Sequence, residues 1–414
     1  MQPTHSGKLA FWRSRAPSND SFRARREVTD LLAAGYQGAD NSSRSAMPAL
    51  FANLAAAAAW YDAWLVEAAL PLWADAGRDP ARGSFQEALT IAGEPWPAPR
   101  RARVQTRQTW VYATAAAEGL GEQYGVLAES AYAFYRPRYR GPDGLFARAA
   151  DEEGRIVDPT ALLYEQAFSL LAMAALERLE PGAGAADADA LRAALEAMRH
   201  PAGGFRETGD RPFQANAHMH LLEAALAWED AGASGWTVLA DEIAELALQR
   251  FIDPDSGAIR EFFDAEWRAL PDGAGGLLEP GHQLEWAWLL DRWGRARDDA
   301  KALAAARRLY AAGKRGVDAR GVAAGALWSD LTVREPVARL WAQTEHLKAA
   351  LVFGGEAEAL RAAEGLALYL DTPRRGTWRD KLNADGSFVD EPAPATSFYH
   401  LLGAILPLRK AAGL

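Results

Sequence analysis

One pattern of polar residues recurs along this chain. A repeat constrains a fold more than local propensity does, because each unit must bury its apolar face against its neighbours. Five segments begin with a Gly and an apolar or aromatic residue, pass through an acidic loop, and enter a helical stretch carrying buried-type polar residues. They run from Gly144-Leu145-Phe146 to Tyr164-Glu165-Gln166, from Gly203-Gly204-Phe205 to Asn216-Ala217-His218-Met219-His220, and from Gly257-Ala258-Ile259 to Gly281-His282-Gln283-Leu284-Glu285-Trp286. The last two run from Gly325-Ala326-Leu327-Trp328 to Trp341-Ala342-Gln343-Thr344-Glu345, and from Gly376-Thr377-Trp378 to Tyr399-His400. An earlier stretch around Arg107 shares the helical body but not the Gly-aromatic lead. With Arg107, Glu165, His220, His282, Glu345 and His400 as markers, the intervals are 58, 55, 62, 63 and 55 residues. A period of roughly 59 residues is too long for one helix and suits a helical hairpin with a long loop.

The segments between are Ala-rich with 3.6-residue periodicity, as in Ala185–Met198, Ala240–Phe251, Lys301–Ala312 and Ala357–Leu370. Alternating β-branched runs are almost absent, so the fold class is all-α. The marker helices are expected to start near 103, 159, 215, 279, 335 and 394. Each follows an amphipathic helix, at roughly 47–72, 123–136, 186–199, 235–251, 297–312 and 355–370. Six such pairs predict a single (α/α)6 barrel over residues 46–414, with the marker helices as its inner ring. The markers lie near the inner-helix starts and would converge in one cleft beneath the long loops. The competing reading is an open α-solenoid in which the markers only pack. Residues 1–45 fall outside the repeat as an N-terminal lead with seven Lys+Arg against four Asp+Glu. The lead is compatible with a cover over the cleft, a subunit interface or a flexible segment.

Asn216, His220 and Glu223 are spaced i, i+4, i+7 and share one helix face; His282 and Glu285 share another. A helix N-terminus favours the neutral form of His282, while a nearby carboxylate acts in the opposite direction and orients the ring. A lone His on an apolar helix, such as His400 after Tyr399, is ordinarily a satisfied core residue; its recurrence in three repeats weakens that reading. A buried Arg107 needs an anion or several acceptors. It either holds negative charge developing on a substrate oxygen or pairs with Glu165 or Glu345. Histidines, an arginine, carboxylates and tryptophans in one cleft suit proton abstraction beside a carbonyl. An aldose in its open-chain form has such a proton at C2, and removing it gives a cis-enediolate. Return of the proton to C1 makes a ketose, and return to the other face of C2 makes an epimer.

The remaining composition narrows the class. The 55 Asp+Glu against 45 Lys+Arg, a net charge of −10, argue against nucleic acid as a partner. The absence of Cys excludes thiolate catalysis, disulfides and Cys-based metal sites. The most apolar stretch, Leu50 to Leu72, is broken by Asn53, Asp62, Glu67 and Pro71, so no membrane partner is expected. No apolar secretory core precedes the repeat, which leaves a cytoplasmic location as the expectation. No phosphate loop, nucleophile elbow or metalloprotease motif is present.

Several short pieces, in order and spaced across residues 100–400, carry a resemblance to a known family. They are Thr106-Arg107-Gln108-Thr109-Trp110-Val111-Tyr112, Asn216-Ala217-His218-Met219-His220-Leu221-Leu222-Glu223-Ala224, Pro280-Gly281-His282-Gln283-Leu284-Glu285-Trp286, Trp341-Ala342-Gln343-Thr344-Glu345, and Gly376-Thr377-Trp378 with Tyr399-His400. Together they resemble the N-acylglucosamine 2-epimerase superfamily, which includes mannose isomerases, cellobiose 2-epimerases and sulfoquinovose isomerases. The resemblance implies an (α/α)6 barrel, no cofactor and no metal. It implies His282 and His400 as the acid/base pair, Glu285 as an orienting or assisting group, and Arg107 on the enediolate oxygens. It assigns Asn216, His220, Glu223 and Glu345 to the sugar, with Trp328 and Trp378 against its ring. The start of the Arg107 helix is more similar to mannose isomerases than to disaccharide epimerases. The expected activity is therefore D-mannose/D-fructose isomerisation on a small monosaccharide, with sugar 2-epimerisation as the alternative. A homo-oligomer is compatible with the sequence.

Overall fold

The computed structural model describes residues 50–271, 273 and 276–414. The expected lead over residues 1–45 lies outside them. From Phe51 to Leu414 the chain forms one compact unit.

Six inner helices carry the markers: α3 (Ala102–Ala117), α5 (Leu163–Leu179), α7 (Ala215–Asp230), α9 (Pro280–Arg297), α11 (Leu340–Phe353) and α13 (Thr396–Ala411). Each packs against the next, and α13 packs against α3, so the ring closes as a barrel rather than an open solenoid. The outer layer is α1 (Leu54–Trp64) continued through a π-helical turn into α2 (Leu70–Asp75), then α4 (Gln123–Tyr139), α6 (Ala185–Ala194), α8 (Thr237–Leu246), α10 (Ala300–Lys314) and α12 (Gly355–Ala367). Short turns join each inner helix to the outer helix that follows, and the long loops return to the next inner helix. Inner helices are buried nearly all round at their first turns, because they face both the axis and the outer layer.

Two sets of hydrogen bonds fix where each inner helix starts. In the first, a buried side chain grips the backbone of its own loop. Gln105, Gln166, Gln283 and Gln343 accept from the N–H of Phe85, Phe146, Ile259 and Ala323 at 2.7–2.8 Å. The same amides donate back to the carbonyls of those four residues at 2.8–3.0 Å. In the third repeat His218 replaces Gln, its Nε2 accepting from Phe205 N–H at 3.0 Å. In the second set, the first residue of an inner helix, or for α13 the residue just before it, donates to a neighbouring loop. Ala102, Ala215, Leu340 and Ala395 bond the carbonyls of Arg148, Glu261, Asp380 and Glu87. Two-residue antiparallel strands reinforce three of these clasps: Arg100–Arg101 with Ala149–Ala150, Ala338–Arg339 with Lys381–Leu382, and Ala88–Leu89 with Ala393–Pro394. The last joins the first loop to the last and closes the circle.

These bonds revise the repeat register. The first repeat does have a lead, Gly83-Ser84-Phe85, since Phe85 is the residue Gln105 grips. The fifth lead is Gly321-Val322-Ala323, four residues before the Gly325 segment. Gly321, like Gly83, Gly144, Gly257 and Gly376, has positive φ, whereas Gly325 does not. Helices α5 and α11 also start later than expected, because Ile156–Asp158 and Val333–Glu335 are strands hydrogen-bonded within their loops.

A Gln166→Leu substitution strands the N–H and C=O of Phe146 in the interior. It is expected to cost about 1–3 kcal/mol per orphaned group, measured by urea unfolding. Unchanged stability would remove the amide grip from this account of the fold.

Candidate active site

Counted from the gripping residue, Arg107, Phe168, His220, Glu285 and Glu345 stand two residues further along their helices, and in the sixth repeat, where Phe398 takes the gripping position, His400 stands 22 residues after Trp378 as Arg107 does after Phe85. They form one level of the barrel interior. Glu165 and His282 stand one residue before the grip, a helical turn nearer the mouth. The six sequence markers are therefore not all equivalent: Phe168 and Glu285 are the true counterparts of Arg107 and His220 in the second and fourth repeats.

The inner-helix starts open on a cavity of about 430 Å³, within the ~300–1,000 Å³ typical of small-molecule sites. Arg107, Asn216, His220, His282, Glu285 and His400 all line it, with Tyr164, Trp341 and Thr396. Arg101, Arg103, Arg339, Glu207 and Glu279 lie among its walls as well. Four expected contacts lie elsewhere. Glu223 sits beneath the floor, accepting from His220 Nδ1 at 3.2 Å and from the Tyr399 hydroxyl. Glu345 sits behind His400, accepting from its Nδ1 at 2.9 Å. Trp378 is core, stacked on Trp73 with centroids 4.5 Å apart, its indole N–H donating to Pro394 O. Trp328 is 38% exposed under Arg334, away from the cavity, as the shifted fifth lead requires. The indole that does flank the histidines is Trp341, 5.0 Å from the His282 ring and 5.8 Å from that of His400.

Two of the three cavity histidines, His282 and His400, have opposite electrostatic settings. Burial opposes charge on His282, but Glu261, Glu279 and Glu285 outweigh it and lift its pKa to about 10. Its Nδ1 is 2.9 Å from Glu261 Oε2, leaving Nε2 as its second donor. The carboxylates thus prevail over the helix N-terminus that favours a neutral ring. His400 is driven the other way: burial, then Arg107, Lys348 and His220, hold its pKa well below the ordinary value. Its Nδ1–H donates to Glu345, so Nε2 carries a free lone pair. Burial also depresses His220, to about 4.

Arg107 has no carboxylate partner among the described residues. Arg103 takes Glu165 at 2.5 Å, and Lys348 Nζ takes Glu345 at 2.7 Å. The Arg107 guanidinium lies 4.0 Å from the Phe168 ring centroid and donates to Tyr164 Oη at 2.7 Å and Thr396 O at 3.2 Å. Its Nε, Asn216 Oδ1 and both carboxylate oxygens of Glu285 are buried without hydrogen-bond partners. Burial and the like charge of Glu345 raise the Glu285 pKa well above the carboxylate range. Orphaned polar atoms around one cavity suit a polyhydroxylated ligand. Metal-ligating atoms also cluster, at His220–Glu223–Glu285, Glu261–Glu279–His282 and Glu285–Glu345–His400. Hydrogen bonds to carboxylates already occupy the histidine Nδ1 in each cluster.

The chain is 45% identical over 366 residues to the mannose-6-phosphate isomerase of Rhizobium meliloti (strain 1021), covering 83% of this chain and 95% of that one. It is 32% identical over 209 residues to the D-mannose isomerase of Thermobifida fusca, where the match spans 45% of this chain and about half (51%) of the relative. A D-mannose isomerase crystal structure superposes with a TM-score of 0.78 at 21% identity, over 85% of this chain and 97% of that one. The cellobiose 2-epimerase of Bacillus thermoamylovorans B4167 does so with 0.76 at 19%, over 85% and 98%. No helix among the described residues is long and apolar enough to cross a membrane. Residues 83–404 match the N-acylglucosamine 2-epimerase (GlcNAc 2-epimerase) family over most of the chain, and the protein belongs to that family of sugar epimerases and isomerases.

Proposed function

We propose that the protein is an aldose–ketose isomerase interconverting D-mannose and D-fructose through a cis-enediolate, with His400 and His282 as the acid/base pair. The observation that carries this reading is the pair of histidines in one cavity whose surroundings push them to opposite protonation states. The cationic His282 donates to the ring oxygen as the C1–O5 bond breaks, and the proton leaving O1 as C1=O1 forms returns to His282 Nε2. Neutral His400 takes the C2 proton through Nε2, and the electron pair moves into C1=C2 while O1 becomes the oxyanion. Arg107, free of a carboxylate, stabilises that oxygen. The O2 proton passes to O1 with Glu285 as relay, C2=O2 forms, and C1 takes the proton back from His400. Asn216 and His220 bind the hydroxyls. Cleavage of a glycosidic bond would instead ask for two carboxyl groups across the cavity. Here Glu165 is bound by Arg103 and Glu345 lies behind His400. Relatives named for mannose isomerisation favour the ketose product over the epimer.

A second reading concerns the far end of the sugar. The 45% relative is named for a phosphorylated mannose. Arg101, Arg103 and Arg339 line the same cavity, and the Arg339 side chain is 50% exposed with Asp380 only at 3.4 Å. These arginines suit a phosphate carried at the end of the sugar remote from C1.

His400→Ala and His282→Ala are each expected to keep the fold and lose 10²–10⁴-fold in kcat, the usual contribution of a general acid or base. Substantial turnover in both variants would sink the role assignment. Mannose incubated in deuterated water should yield fructose by NMR; glucose as the sole product would replace isomerisation with epimerisation. The phosphate reading expects higher kcat/KM for mannose 6-phosphate than for mannose, with Arg339→Ala raising KM only for the phosphorylated sugar. Equal KM changes on both sugars would discard it.

A further inference from the structure

Two residues beyond each lead aromatic, the loops place Glu87, Glu207, Glu261 and Asp380 at one equivalent position in four of the six repeats. All four are buried. Three serve local structure. Glu87 holds Arg101, Glu207 accepts from the first backbone N–H groups of α5, and Asp380 meets Arg339 and Ser397 at 3.4 Å. The fourth, Glu261, is 3% exposed and turned onto His282 Nδ1 at 2.9 Å. Its other oxygen accepts from Glu279 N–H at 3.2 Å, just before α9, and its backbone carbonyl accepts from Ala215 N–H at the start of α7. One residue thus ties together the helix starts that present Asn216 and His220 on one side and His282 on the other.

We infer that Glu261 is the positioning residue of His282, fixing the ring so that Nδ1–H is spent on the carboxylate and Nε2–H is presented to the cavity. The inference rests on the proposed isomerase reading for its kinetic meaning, but the His282–Glu261 pairing stands apart from the identity of the sugar. A His whose second nitrogen is held by a carboxylate is locked in tautomer and orientation, and its cationic form is stabilised. Other groups face His282 from every packed element: Glu279 ahead of it, Glu285 one turn below, His220 on α7 and the Trp341 ring on α11. Burial and like charge push Glu279 and Glu285 toward neutrality, and of the three carboxyl groups it is Glu261 that is hydrogen-bonded to the ring.

The test compares wild type with Glu261→Gln and Glu261→Asp. His282→Ala identifies the His282 imidazole signal in the NMR spectrum of histidine-labelled protein. In wild type the ring should stay protonated through neutral pH, and kcat should lose its acid form only as pH rises toward about 10. In Glu261→Gln the His282 titration and the alkaline limb of kcat should move together to lower pH, by about one to three units. KM should change little, and Glu261→Asp should recover part of the shift. Glutamine keeps an acceptor for Glu279 N–H, so the fold is expected to persist, checked by circular dichroism. A His282 titration unmoved in Glu261→Gln would overturn the inference, even with lowered activity, because loss without a shift is a structural role. Absence of isomerase activity in wild type would count against the proposed reaction instead, and the NMR titration would still decide the role of Glu261.

Discussion

Five of the six inner helices are pinned to the loop before them by a buried side chain, a glutamine amide in four and His218 in the other. A loop backbone passing through the interior leaves an N–H and a C=O that water cannot reach, and each must find a partner. Gln supplies both a donor and an acceptor from one planar group, so one side chain satisfies both atoms of Phe85, Phe146, Ile259 or Ala323. The choice of residue is nearly forced. Asn has a shorter reach, Glu lacks the donor, and His218, used once, satisfies only the N–H of Phe205 through Nε2 while Nδ1 turns to Gln214 O at 2.8 Å. With the junctions pinned, the levels of the interior follow. Two residues beyond each grip lies the floor of the cavity, and one residue before it lies the wall.

That layering accounts for the electrostatics. The floor and the layer beneath it bring three carboxyl groups, Glu223, Glu285 and Glu345, near the buried cation Lys348. Like charges at short range in a low-dielectric interior cannot all ionise. Glu345 has Lys348 and His400 against it. Glu223 is held ionised against burial by His220 and then Lys348 and Tyr399. Glu285, with no hydrogen-bond partner on either oxygen, has its pKa raised well above the carboxylate range. That shift results from the arrangement of its neighbours, and replacing Lys348 would redistribute charge over all three carboxyls.

Much of this was legible in the chain itself. The period of the polar markers and the Ala-rich amphipathic stretches between them sufficed for six hairpins and a closed ring, because periodicity is a property of sequence. Residues carrying chemistry on the inner helices, Arg107, Asn216, His220, His282, Glu285 and His400, do meet at one cavity. Register was harder. A reader drawn to ionisable residues aligns His282 with His220, whereas the structural equivalence runs through the quieter glutamines. The same misreading placed the fifth lead at Gly325 and so promoted Trp328, which lies outside the cavity. Gln105, Gln166, Gln283 and Gln343, each 20 to 24 residues after a gripped loop residue, were the available signal. Glu261 shares its place two residues after the lead with Glu87, Glu207 and Asp380, but nothing in that position marks it as the one that reaches a histidine.

The one-turn offset between the histidines is itself what separates their chemistry. On the floor, His400 faces Arg107 and Lys348, and positive neighbours together with burial keep it neutral. One turn nearer the mouth, His282 passes above those cations and comes level with the loop carboxylates Glu261 and Glu279, so the same imidazole is held as a cation. Had both stood at one level, they would share neighbours and tend to one protonation state. Trp341, packed against both rings, is a spacer that lets the two environments differ without a direct contact between the imidazoles. An offset of three residues along the helices thereby leaves a cationic and a neutral imidazole facing one cavity.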